Sequence, residues 1–148
     1  MLLDENQAAL NELIVHFRES ADHFEDAIDH LEDTQLQATF QDILTGHTKA
    51  ADVLSEAVRK TGALPRAQHA DREEVHQIIT HVKAAIADDS TQVFLQDRID
   101  HEQQIERLIA EALELDMPAE TQAHLKTLSA TEAVVLTRLE KALADCAS

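Results

Sequence analysis

Four ionisable side chains stand inside the apolar stripes of predicted helices: His47, Glu102, Glu106 and Glu132. Apolar residues repeated at intervals of three and four lie on one face of an α-helix, and that face packs against the core. Glu102 and Glu106 are four residues apart in the stretch IDHEQQIERL, so both carboxylates are expected on one face. Buried carboxylates pair with a cation, take up a proton or bind a metal ion, because an isolated buried charge is costly.

The four residues are also predicted to lie at one height. Counted from the expected helix starts, His47 and Glu102 each lie about 12 to 13 residues along helices that run in the same direction. Glu132 lies about 14 residues along a helix that enters from the opposite end, so all three reach the middle of the bundle. One histidine cannot balance three glutamates, whereas a divalent ion can. Iron, manganese and zinc suit such ligands.

A metal-free interpretation stands beside this one. Arg98 precedes Glu102 by one turn, and Arg18 in the first helix is expected near the same height. These arginines would form a buried or half-buried ion-pair network with the glutamates. A stripe shifted by one position would in addition move Glu106 to the solvent side.

The helices that position these residues follow from the hydrophobic periodicity. It predicts long helices over about 4–31, 34–62 and 90–115, a shorter helix over about 71–87, and a last helix that begins near Pro118. Thr34 and Gln37 have capping-box spacing at the second helix. Residues 63–70 form the clearest linker, and the whole chain, 1–148, is expected to be one domain.

Short connections predict the order of the long helices. Tight turns at 32–33 and 116–117 make two antiparallel helical hairpins, and the short helix carries the chain between them. The long helices then run up, down, down and up. An all-α, ferritin-like four-helix bundle with one short crossover helix has this arrangement.

Three stretches carry a family resemblance: LNELIVHFRESADHFEDA, FQDILTGHTKAADVLSEAVRKTGALP and IDHEQQIERLIAEALELDMPAE. They resemble a bacterial family of ferritin-like four-helix-bundle proteins that carries a domain-of-unknown-function label. The likeness covers roughly residues 10 to 141. It implies a fold and a superfamily, but no established reaction.

The chain departs from the ligand pattern of ferritin-like di-iron proteins. Those proteins use a Glu from each of two helices and Glu-x-x-His from each of the other two. Here Leu44 stands where a Glu would precede His47, and Val135 stands where a His would follow Glu132. The first helix has no acid at the centre of its stripe. The resemblance alone therefore does not establish a di-iron site.

Composition excludes several classes of partner. The net charge of −17 opposes binding to nucleic acid and to anionic membrane surfaces, and it attracts cations. The N-terminal MLLDENQ lacks the features of a signal peptide, and no apolar run is long enough to span a membrane. Cys146 is the single cysteine, so no internal disulfide is expected. These features predict a cytoplasmic protein.

A second histidine pattern lies on the first helix. His16, His23 and His30 recur every seven residues and are expected on one edge, away from the core face. This edge is interpreted as solvated or as a contact between subunits, with pH-sensitive association as the functional alternative. Val15 and Val134 are further candidates for a contact in a homodimer or larger homo-oligomer.

Two functional hypotheses follow for the polar layer. The first is a small protein that binds iron or another divalent metal in the bundle core, with oxidation or stress-related chemistry. The second is a non-enzymatic structural or interaction bundle, whose metal-free polar layer specifies the helix register. Whether the protein is an enzyme is left open.

Overall fold

The computed structural model of the protein describes residues 4–61 and 91–147, and in these ranges it contains four α-helices and no strand. The helices are α1 (Glu5–Ile28), α2 (Thr34–Arg59), α3 (Thr91–Leu113) and α4 (Ala119–Ala147). This confirms the prediction of four long helices. The predicted linker over 63–70 and the short helix over 71–87 lie outside the described residues. In the described ranges, no helix is long and apolar enough to cross a membrane.

The start of α2 differs from the predicted capping box. Asp33, not Thr34, caps the helix. The backbone N–H of Gln35 donates a hydrogen bond to Asp33 Oδ1 at 2.9 Å, which satisfies an N–H that the first turn leaves unpaired. The Gln37 side chain donates instead to the Leu31 carbonyl at 2.6 Å. This hydrogen bond links the turn between α1 and α2 to the first turns of α2.

Two apolar clusters fill the core, one towards each end of the bundle. The first includes residues 24–31 of α1 and the turn that follows it, 36–43 of α2, 94–99 of α3 and 135–139 of α4. The second includes residues 10–17 of α1, 50–58 of α2, 105–112 of α3 and Leu125 of α4. Chain direction follows from this order. α1 and α4 run from the second cluster to the first, and α2 and α3 run the opposite way, as the short turns predict.

Buried polar residues form a layer between the two clusters. The helices contribute to it at sequence positions near the boundary between the two apolar clusters. The layer contains Ser20 and His23 of α1, His47 of α2, Arg98 and Glu102 of α3, and Glu132 of α4. The apolar clusters thus seal the bundle towards both ends of this layer.

We expect Phe24→Ala to destabilise the bundle by about 3 to 5 kcal/mol, because it opens a cavity in the first cluster. The Phe24 ring packs edge-to-face against Phe40 and Phe94, with centroids 5.0 and 6.2 Å away. Urea unfolding would measure the loss. The matched control is Val134→Ala at an exposed position, which should change stability by no more than about 0.5 kcal/mol. Equal effects in both variants would contradict the packing described here.

Candidate metal centre

His47, Glu102 and Glu132 meet in the middle of the bundle. They come from α2, α3 and α4, and each has no more than 3% of its surface exposed. One ligand atom from each residue lies within 4.8 Å of those of the other two. In the described part of the chain, this is the one group of at least three histidine, cysteine or acidic side chains that converges in this way.

Glu102 is the most heavily hydrogen-bonded member of the group. Ser20 Oγ donates to Glu102 Oε2 at 2.8 Å, and His47 Nε2 donates to Glu102 Oε1. A carboxylate is only an acceptor, so this contact requires the proton on Nε2 of His47. Burial raises the pKa of Glu102, but the charge of His47 and hydrogen bonds from His47, Glu132 and Ser20 hold it below its ordinary value. Glu102 is therefore ionised at neutral pH.

Glu132 has the opposite electrostatic character. Burial, the charge of Glu102 and a hydrogen bond with Glu102 raise the pKa of Glu132 to about 11, with a further contribution from the charge of Glu106. Glu132 therefore carries a proton at neutral pH. Its Oε1 atom is buried and makes no hydrogen bond with the described residues. A buried oxygen of this kind needs a partner, because an unsatisfied polar atom is costly in a core.

The donor set fits one divalent metal ion. One imidazole nitrogen and two carboxylates are ligand types that iron, manganese and zinc accept. Metal–ligand bonds of about 2.1 Å place ligand atoms on one ion about 3 to 4 Å apart, so the side chains need only a small inward movement. The three ligands come from three helices, so binding would join α2, α3 and α4.

The prediction that Glu106 lies in the core is wrong. The residue is exposed and is not part of the converging group. Four residues correspond to 400° of helical rotation, so Glu106 is turned about 40° from Glu102. Ile105 and Ile109 occupy the buried face of this part of α3 instead. C-terminal to Glu102, the buried stripe of α3 is therefore shifted by one position from the predicted one.

Arg98 and Arg18 do not form the ion pairs with the core glutamates that the metal-free interpretation predicted. Arg98 is 1% exposed, and its Nη2 donates to Asp97 Oδ2 at 2.9 Å. Arg18 Nη2 donates to Ser55 Oγ at 3.2 Å and lies 3.7 Å from Asp52 Oδ1. Their described ion pairs are thus with aspartates, not with the core glutamates.

The histidine pattern on α1 is not a single exposed edge. His30 is exposed and His16 is half-buried, but His23 is 4% exposed. The His23 ring stacks on that of His101 in α3, with centroids 6.4 Å apart. The expectation of one solvated stripe is therefore wrong for His23, because α3 covers this part of α1.

Ser20 is the residue of the centre that the sequence analysis missed. It stands between Phe17 and Phe24 on the buried side of α1, where no acid was found. A small polar residue between two core aromatics was the available signal. Its donation to Glu102 shows that α1 contributes a hydrogen bond to the centre.

Comparison with known proteins identifies the family. Residues 5–115 match the family described as Domain of unknown function (DUF2383). The chain belongs to this family. No curated protein and no solved structure matches it.

The DUF2383 match covers only part of the candidate metal centre. It spans α1, α2 and α3, and so includes Ser20, His47 and Glu102. Glu132, in α4, lies beyond the matched range. The match confirms the domain-of-unknown-function label that the resemblance predicted, and it assigns no ligand or reaction to these residues.

We expect Glu132→Gln to stabilise the metal-free protein at high pH. Between the ordinary pKa of 4.5 and the folded value of about 11, the native state keeps a proton that the unfolded chain releases. The wild type therefore loses stability as pH rises through this window. Glutamine keeps the shape without an ionisable group, and it should raise the free energy of unfolding at pH 8 by about 1 to 3 kcal/mol.

Urea unfolding of the chelator-treated protein at pH 5 and pH 8 would measure this effect. Glu140→Gln, at an exposed position of the same helix, is the matched control. The gain from Glu132→Gln should be smaller at pH 5. An equal gain at both pH values would contradict a protonated Glu132.

His23 predicts acid sensitivity. Burial, followed by the charges of Arg98 and His101, lowers the pKa of His23 from 6.5 to about 3. As pH falls below 6.5, the unfolded chain takes up a proton that the native state refuses, and stability is lost. His23→Asn should remove about 2 kcal/mol of the loss between pH 7 and 5. His30→Asn, at an exposed position, should leave the loss as in the wild type. Unfolding curves that coincide for both variants would contradict the prediction.

Proposed function

We propose that this DUF2383 protein is a small ferritin-like bundle that binds one divalent transition-metal ion in its core, with His47, Glu102 and Glu132 as ligands. The observation that carries the proposal is the buried Oε1 atom of Glu132, which makes no hydrogen bond with the described residues. It lies in a group whose ligand atoms are within 4.8 Å of one another. A metal ion would supply the partner that this oxygen needs.

The order of the helices supports the ferritin-like part of the proposal. α1 and α4 run one way and α2 and α3 the other, as the positions of their residues in the two apolar clusters require. Ferritin-like proteins hold metal at the centre of such a bundle, on side chains from facing helices. The sequence retains only part of a di-iron ligand set, since Leu44 and Val135 replace two ligands. A single ion is therefore proposed.

Charge balance supports a divalent ion. Without metal, Glu102 is ionised and Glu132 is held neutral by its raised pKa. A dication would stabilise both carboxylates, so Glu132 would lose its proton on binding. His47 would coordinate through Nε2 with its remaining ring proton on Nδ1. Binding should therefore strengthen as pH rises.

Ligand type favours iron, manganese or zinc. Three protein ligands leave positions on the ion for water or another small molecule, as in catalytic metal sites. Iron at this position would supply oxidation chemistry, and the analogy with ferritin-like proteins favours it. Glu106 is proposed to act through its charge from outside the ligand group.

A metal-free polar layer is the second candidate. Glu102 already accepts hydrogen bonds from Ser20 and His47, and such a network would fix the height at which the helices pack. In this case Glu102→Leu should keep or raise stability, since apolar residues often replace buried ion pairs without loss.

Metal titration tests the first candidate. Untagged, chelator-treated protein would be titrated with Co(II), Mn(II), Zn(II) and, without oxygen, Fe(II). We expect one ion per chain, with release of about one to two protons per ion in weakly buffered solution. Glu132→Gln and Glu102→Gln should each weaken binding at least about a hundredfold, because even residues behind the ligands contribute about ten- to hundredfold.

Glu106→Gln is the matched control, because it removes a carboxylate one turn away at an exposed position. It should keep the stoichiometry of the wild type. Absence of stoichiometric binding in the wild type, together with undiminished stability of Glu102→Leu, would reject the metal site in favour of the structural layer.

A further inference from the structure

A small hollow lies between α1 and α3, beside the metal centre. Its volume is about 40 Å³, enough for a few water molecules or one ion. Six polar side chains line it: His16, Glu19, Ser20, His23, Arg98 and His101. None of the three proposed metal ligands is among them, so the hollow is distinct from the ligand group.

Ser20 connects the hollow to the centre. It lines the hollow, and its hydroxyl donates to Glu102 Oε2 at 2.8 Å. One side chain therefore separates a solvent-side hollow from a proposed ligand atom. Rotation of a serine about one bond is enough to move such a hydroxyl.

The apolar core and two of the helix contacts obstruct several approaches to the centre. The two apolar clusters close the bundle above and below the polar layer. α1 packs extensively against α2, and α3 against α4, whereas the contact between α1 and α3 is looser and that between α2 and α4 is looser still. The hollow lies at the contact between α1 and α3, at the height of the centre.

Two residues that line the hollow each have a buried polar atom that makes no hydrogen bond with the described residues. These atoms are Nδ1 of His23 and Nε of Arg98, whose residues are 4% and 1% exposed. Buried polar atoms without a partner destabilise a core, so apolar side chains would give a more stable structure here if the hollow had no ligand. Asp97 Oδ2 lies 2.9 Å from Nη2 of Arg98, and Glu19 adds a carboxylate to the lining of the hollow, so two acidic side chains oppose the charge of Arg98.

The imidazoles are suited to contact with a cation. A neutral imidazole ring has one nitrogen lone pair that can face a cation, and Nδ1 of His23 makes no hydrogen bond with the described residues. The rings of His23 and His101 stack across the α1–α3 contact, so a movement of either ring changes the opening between the helices.

From this geometry we infer that the hollow is the entry route for divalent metal ions to the core centre, with the stacked rings of His23 and His101 as its gate. The inference rests on the proposed metal site. It assigns these two residues to the rate at which the ion enters, and not to its affinity, because neither residue belongs to the converging ligand group.

Stopped-flow absorbance with Co(II) would test the gate. His23→Ala removes the buried ring and should speed binding several-fold. His101→Trp enlarges the outer ring and should slow it several-fold. Co(II) stoichiometry and equilibrium affinity should remain as in the wild type. His30→Ala on α1 lies outside the hollow and is the control, with an expected wild-type rate.

The outcomes separate the entry route from the metal site itself. Wild-type Co(II) binding, with both gate variants at the wild-type rate or both slowed, would overturn the route and leave the metal centre standing. Loss of affinity in both variants would overturn it too, because these residues would then be part of the ligand shell. No Co(II) binding by the folded wild type would reject the centre and the route together.

Discussion

The carboxyl groups of Glu102 and Glu132 share a space in the bundle where water cannot hydrate two negative charges. The metal-free protein resolves this by ionising one and protonating the other. Glu102 keeps its charge because Ser20 and His47 donate hydrogen bonds to it, and burial beside that charge raises the pKa of Glu132 to about 11. The protonated carboxyl reduces stability at neutral pH, and a divalent ion would relieve this cost by taking the place of the proton.

The apolar clusters enclose this polar layer from both sides along the bundle. They hold the four helices together and fill the core on both sides of the layer. At the contact between α1 and α3, buried His23 and Arg98 replace the aliphatic residues found above and below them. The layer therefore extends from the centre towards the surface on this side. The candidate metal centre and the hollow between α1 and α3 thus lie at one height in the bundle.

Family membership and geometry contribute different information. The match to DUF2383 covers three of the four helices and carries no function. The geometry identifies three side chains whose chemistry suits a metal ion, in a chain that lacks part of the di-iron pattern. Leu44 and Val135 explain that difference directly, since an apolar side chain at either position cannot coordinate a second ion.

Hydrophobic periodicity and turn length were sufficient to predict four long helices and their directions, because each depends on local spacing. The same counting placed His47, Glu102 and Glu132 at one height, since the rise per residue is constant. Rotation about the helix axis is less certain from sequence, because it depends on how neighbouring helices pack. For this reason only the tertiary structure showed that Glu106 turns outwards, that His23 turns inwards and that Arg98 is buried beside Asp97. It also decided the contribution of Ser20, because a hydroxyl becomes part of a centre only when another helix brings an acceptor within hydrogen-bond distance.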